Sequence, residues 1–283
     1  MTTTTTYITV EKNLANYKKV EAQKPAVKNA TAYYQANIGN VKTIAQFVGN
    51  YRLLSYALQA YGLGDQVNNK ALITKVLQEG TSSPKALANT LGNSAWKAFA
   101  NAFNFSATGS AAPSSSASVS TTTSDYIEQQ LETDQGKSDP GVELALYFQR
   151  VAPTLTDSYQ ILADKNLTQV AQTIFNLPAG TSAAQIDKEA AALKTLMPLS
   201  QLQNPAKLTS LVERFTAAYD ADYGPGGADA GSSLTVSNGN ASSSTVSAAS
   251  SILSGALTGM SSYIGGTASN FASLLSSLAL GGG

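Results

Sequence analysis

The sequence predicts a mostly α-helical fold: a duplicated three-helix unit with a central helix, flanked by flexible tails that can form coiled-coil helices. Three observations predict it. In residues 50–63, Leu53, Leu54, Ala57, Leu58 and Tyr61 fall on one side of a helix. Gly62 supplies the left-handed position at which such a helix stops, and Leu63 is placed to fold back on the last turn. Residues 164–177 repeat this order, with Leu167 for Leu53, Ala171 for Ala57 and Asn176-Leu177 for Gly62-Leu63. Asn is the non-glycine residue that best tolerates the left-handed conformation, so the stop is kept.

The third observation lies just downstream of each copy. Leu72, Ile73, Val76 and Leu77 form an apolar stripe, and Ser83-Pro84 is expected to open a helix carrying Leu87, Leu91, Trp96, Phe99 and Phe103. After the second copy, Ala191, Leu193, Leu196 and Met197 precede Asn204-Pro205 and a helix carrying Leu208, Leu211, Val212, Phe215 and Tyr219. A capping residue before a first-turn proline is a start signal.

Taken in order, residues 1–40 read as a polar arm. Tyr7, Val10, Leu14 and Tyr17 are spaced by three and four, a short heptad-like seam on a locally basic segment. This arm is expected to be either a frayed amphipathic helix or a partner-binding one. Residues 41–105 form the first helical unit. Residues 106–124 are nearly all Ser, Ala, Thr and Gly, too poor in apolar surface to offset ordering entropy, and read as a flexible linker. Residues 125–223 hold the central helix and the second unit. Asp139-Pro140-Gly141 caps the central helix, whose apolar run from Val142 to Phe148 predicts a buried strut between the units. Residues 224–247 are a Gly/Ser linker, and 248–283 form an uncharged heptad tail. Leu253, Leu257, Met260, Ile264, Phe271, Leu274 and Leu278 are its seam, weakened by Gly255, Gly259, Gly265 and Gly266.

Composition restricts the chemistry. The chain has 283 residues with no Cys and no His. Disulfides, thiolate nucleophiles, Cys/His zinc sites and Ser-His-Asp triads are therefore excluded. The usual general base near neutral pH is missing too, so the chain is not expected to be an enzyme. Eighteen basic and eighteen acidic residues balance, which argues against nucleic acid as a partner. No apolar run reads as a membrane span, and the start lacks a cleavable signal. No cofactor and no small-molecule substrate is indicated.

The candidate ligand groups are weak. Glu128, Glu132 and Asp134 lie on one helix, either a solvated face or a hard-cation site. Asp220, Asp222 and Asp229 bracket Gly224-Pro225-Gly226-Gly227, which comes after a helix and lacks the Lys-Ser/Thr of a phosphate cradle. Glu143 and Arg150 read as surface charges unless buried together. Arg52, replaced by Asn166 in the second copy, is expected in a salt bridge or a helix-cap contact.

Residues 47–63, together with Lys75-Val76-Leu77-Gln78-Glu79-Gly80, residues 99–105, Leu144-Ala145-Leu146-Tyr147-Phe148-Gln149-Arg150 and Ile161-Leu162-Ala163-Asp164, carry a resemblance. They are similar to an alphaproteobacterial domain-of-unknown-function family encoded in flagellar gene clusters. The likeness spans about residues 31–223, with both tails outside. It implies a non-enzymatic structural component of the bacterial flagellum, extracellular, exported uncleaved and assembled through its terminal helices. Its partners would be other flagellar proteins or copies of itself. The alternative is a cytoplasmic or periplasmic assembly factor, an export chaperone or adaptor. The resemblance implies no catalytic residue and no cofactor. The absence of Cys and the heptads at both ends agree with it.

Overall fold

Short polar side chains and prolines divide the chain into helices. The computed structural model describes residues 1–109, 115–177 and 185–223. Thr2 accepts a hydrogen bond from the Thr5 amide and opens α1 (Thr3–Lys12). The helix breaks at Asn13 and resumes as α2 (Leu14–Gln23). Lys24, kept extended by the proline after it, leads into α3 (Pro25–Asn37). Thr43 and Asn50 cap α4 (Ile44–Gly49) and α5 (Tyr51–Ala60). Next come α6 (Lys70–Glu79), α7 (Leu87–Thr90), α8 (Ser94–Ala102) and α9 (Phe105–Thr108). The helices α10 (Ser116–Gly136) and α11 (Pro140–Val151) make a hairpin. Beyond it lie α12 (Tyr159–Leu162), α13 (Lys165–Phe175), α14 (Ile186–Leu196), α15 (Leu199–Leu202) and α16 (Pro205–Tyr223). The fold is all-α, with no strand among the described residues.

Two hydrophobic cores result. The first joins α3 to α8 and includes Tyr34, Phe47, Leu53, Leu58, Ile73, Phe99 and Phe103, all buried. The second is built from α11, α13, α14 and α16, with Phe148, Leu167, Val170, Leu193 and Phe215 buried. Between them stands the α10–α11 hairpin. Tyr126 of α10 joins the first core, whereas Val142, Ala145 and Phe148 of α11 belong to the second. The expected strut is thus a pair of helices, and α11 is the centre of one core rather than a spacer between two.

Both helix stops stand as expected. Gly62 has φ 72° and Asn176 φ 49°. The Leu63 amide reaches back to the Leu58 carbonyl at 2.7 Å, and Leu177 to Gln172 at 3.0 Å. The repeated order of signals does not give a repeated packing, however. Helix α5 lies on α10 and α3, whereas its counterpart α13 lies on α16 and α11.

Three expectations need correcting. Ser83-Pro84 does not open a helix; the chain turns there, forms the single turn α7, and breaks again at Gly92 (φ 74°) before Asn93 caps α8. Residues 116–124 of the expected linker are helical. Ser115 caps α10, Ser118 donates to the Ala102 carbonyl, and Thr122 is buried against the Tyr61 hydroxyl at 3.3 Å. The Ser118 and Thr122 hydroxyls here find partners across the helix contact, so these small side chains pack closely instead of staying in water. The polar arm is also folded. Helix α1 packs on α11 and α16, α2 on α10, and α3 on α5, so residues 3–37 run from the second core to the first. The tail residues Leu253, Leu257, Met260, Ile264, Phe271, Leu274 and Leu278 lie outside the described residues.

Candidate functional site

Three polar constructions stand out: at the edge of the second core, inside the α10–α11 hairpin and between the cores. The first is the seat of α1. The Asp220 carboxylate near the end of α16 accepts from the Thr3 amide at 2.6 Å, the Thr4 amide at 3.0 Å and the Thr4 hydroxyl at 2.8 Å. An anion thus occupies the N-terminus of α1, where free amides and the helix dipole favour it. Burial alone would raise the Asp220 pKa, but the bonds from Thr4 and Thr3 outweigh it and hold the carboxyl below its usual value. Asp139, the cap of α11, also accepts from the Thr3 hydroxyl at 3.0 Å. Gly141 leaves the space for this approach: a Cβ there would lie 2.5 Å from Tyr219 Cδ1 and 2.7 Å from Thr3 Cγ2. Farther along α1, Tyr7 and Val10 enter the second core, and the Tyr7 hydroxyl donates to Gln149 at 3.0 Å.

The second construction is an ion pair inside the hairpin. Arg150 Nε donates to Glu132 Oε1 at 2.6 Å and its Nη2 to Oε2 at 2.7 Å, a bidentate fork, and Nη2 also reaches Gln129. The Glu132 side chain is 1% exposed. Burial pushes its pKa up, and the Arg150 bonds only partly pull it back. For Arg150, burial opposes the charge, but the Glu132 bonds and charge more than offset it and raise its pKa. The helix read as a solvated acidic face therefore carries its central carboxylate inward. Its neighbours are paired as well: Glu128 with Lys18 at 2.7 Å, and Asp134 with Lys24 and Lys137. The basic arm and the acidic helix, separate in sequence, neutralise each other.

The third is a cleft of about 490 Å³ between the cores, lined by Tyr61, Lys97, Asp125, Tyr147, Arg150 and Thr154, among others. Burial raises the Asp125 pKa, and the Arg150 charge moderates the rise. The Tyr147 hydroxyl donates to Asp164 at 2.5 Å, the carboxylate that caps α13. Burial first, then the Asp164 charge, raises the Tyr147 pKa, so this phenol stays protonated and serves as a tie between helices. No group of three or more Asp or Glu stands ready for a metal ion among the described residues.

Of the interaction residues read from the sequence, Tyr7 and Val10 are brought into the second core, at 2% and 1% exposure. Leu14 is half-buried beside Glu128, Glu132 and Arg150, and Tyr17 packs partly on the second core. Tyr7 and Val10 of this N-terminal seam are therefore covered from within the same chain. Arg52 forms neither the expected salt bridge nor a cap: its guanidinium stacks 3.6 Å over the Tyr33 ring. Glu143 remains apart from the fork of Arg150 and instead lies against Gly136. Asp220, one of the three acidic residues around the Gly/Pro stretch, caps α1. The α1 seat was missed by sequence reading. Its one visible signal was the Thr-rich start, which looks disordered but supplies hydroxyl donors.

Residues 60–208, from the end of α5 into α16, match the family described as "Protein of unknown function (DUF1217)". The chain belongs to this family. A crystal structure of a protein from Agrobacterium tumefaciens superposes with a TM-score of 0.71 at 38% identity, covering 76% of this chain and 92% of that one. No curated protein matches. The family region of this DUF1217 member contains both Glu132 and Arg150, whereas α1 lies before it. No described helix is long and apolar enough to cross a membrane.

Proposed function

We propose that this DUF1217 protein is a non-enzymatic structural component of the bacterial flagellum, exported uncleaved and assembled through its terminal segments. The observation that carries the reading is the bond of Asp220 to Thr3 and Thr4. It holds the start of the first helix beside the end of α16, so these two ends of the helical body lie together. That placement fits a subunit that meets its neighbours through both terminal segments. The resemblance to a family encoded among flagellar genes names the assembly, and the absence of His and Cys agrees with a role without catalysis. The polar groups of the junction also fit a load-sharing body. Glu132 pairs with Arg150 and Tyr147 with Asp164 across helices, so Arg150 and Tyr147 line the cleft with their polar groups already engaged.

The test is mass spectrometry of flagella sheared from intact cells and purified, with the cell body fractionated in parallel. The proposal expects the intact chain in the flagellar fraction. Recovery from cytoplasm or periplasm alone would overturn it and leave an assembly factor, the export chaperone or adaptor.

A further inference from the structure

We infer that the groove between α11 and α16, filled here by the chain's own α1, is also the seat for α1 of a second copy, so that copies join by exchanging their first helices. The inference rests on the reading of the chain as a self-assembling component, but it concerns the purified protein alone.

Four features carry it. The seat is shaped for this helix: Gly141 makes room for Thr3, Asp139 and Asp220 receive its hydroxyls and amides, and Gln149 meets Tyr7. Every one of these partners lies at least 136 residues away in the chain, so a neighbouring copy's α1 would find the same groups. The connection to α2 is a break. Asn13 leaves the helical conformation (φ −121°, ψ 21°) and its side chain turns back to the Thr9 carbonyl, giving no cap to α2. A single residue there can redirect α1 without disturbing α2, which Lys18 ties to α10. Finally, α1 is a poor helix by itself. Thr3, Thr4, Thr5, Thr6, Ile8, Thr9 and Val10 are β-branched, which lowers helix propensity, so the segment is ordered by its seat and unfolds when it leaves. A segment that folds only on docking, behind a hinge, is the element that copies trade at little cost, since the closed and exchanged forms make the same contacts.

The chain has no native Cys, which makes the test specific. The Thr4 and Thr216 hydroxyls are 3.2 Å apart. Full-length Thr4→Cys and Thr216→Cys chains are mixed at high concentration, partly loosened with urea, returned to buffer and oxidised. Exchange predicts a mixed disulfide dimer several-fold above either homodimer on a non-reducing gel. A mixed dimer no more abundant than the homodimers, while the double variant closes its own disulfide, overturns the inference. Should the double variant fail to close, dyes on the exposed sites Thr2→Cys of one chain and Tyr223→Cys of another decide. Energy transfer that grows after mixing supports exchange, and its absence overturns it. Neither result bears on whether the protein resides in flagella.

Discussion

The two cores are closed in different ways. The first is drawn from one continuous stretch, residues 27–126, and is built of rings. Tyr34 stacks on Tyr56 at 4.4 Å and Tyr56 on Tyr126 at 3.8 Å, while Phe47, Phe99 and Phe103 form a second group. The second core is mainly aliphatic and needs both ends of the described chain, Tyr7 and Val10 as well as residues 142–215. One closes on itself. The other is completed by the first helix, which adds Tyr7 and Val10 to the core and is held at its start by polar bonds. Aromatic packing is insensitive to pH and salt, whereas a carboxylate cap is sensitive to both.

Four changes test that contrast, from the largest effect to the smallest. Arg150→Met leaves the Glu132 carboxylate buried without its partner and is expected to cost about 3–5 kcal/mol at neutral pH. Because the folded pKa of Glu132 is already raised, that loss should shrink as pH falls and the acid takes up a proton. Adding Glu132→Leu should restore most of the stability at pH 7. Urea titrations of the single and double variants measure this, and a double variant no better than the single would contradict a net cost of burial. Leu58→Ala, in the first core, is expected to cost about 2–5 kcal/mol with no pH dependence.

Gly141→Ala separates local propensity from the seat. In an open helix alanine would gain about 1 kcal/mol over glycine. Here its Cβ meets Tyr219 and Thr3, so a loss of about 1–3 kcal/mol is expected from overpacking. A gain would mean that α1 does not press on α11. Smaller still is Lys18→Ala. Its pair with Glu128 is part-exposed, so about 0–1 kcal/mol is expected, vanishing in high salt.

Much of the first core was legible because its signals are local. The periodicity of Leu53, Leu54, Ala57 and Leu58 and the Gly62 stop lie close together in the chain, and each acts through neighbours in sequence. The Asn204-Pro205 start of α16 was legible for the same reason, the Asn204 side chain accepting from the Lys207 amide at 3.1 Å. The second core's closure was not. Nothing near Thr3 announces that Asp220 will receive its amide, because the bond joins residues 217 apart. Likewise Glu132 and Arg150 each sit in ordinary amphipathic contexts, and only the hairpin turns them toward one another. Residues 116–124 were misread because composition speaks to average behaviour. Ser115 as a cap and Val119, Thr122 and Tyr126 at helical spacing are the pattern that prevails.

Acid should act on the second core through Asp220. Its folded pKa is lowered, so its contribution is complete above the unfolded carboxylate value of about 3.9 and is lost as pH falls through the folded value. The Asp220→Asn variant should lack that acid-sensitive component, seen as a flatter stability profile below about pH 4.

The most direct test of the contrast is native-state hydrogen exchange, comparing amides of α1 with those of α5 and α11. The account predicts that residues 3–12 exchange through a local opening well ahead of the other two helices, and that Asp220→Asn speeds α1 alone. If α1 is protected as strongly as α5, and the substitution speeds all three together, then the first helix is an integral part of one cooperative core and the distinction between the two closures fails.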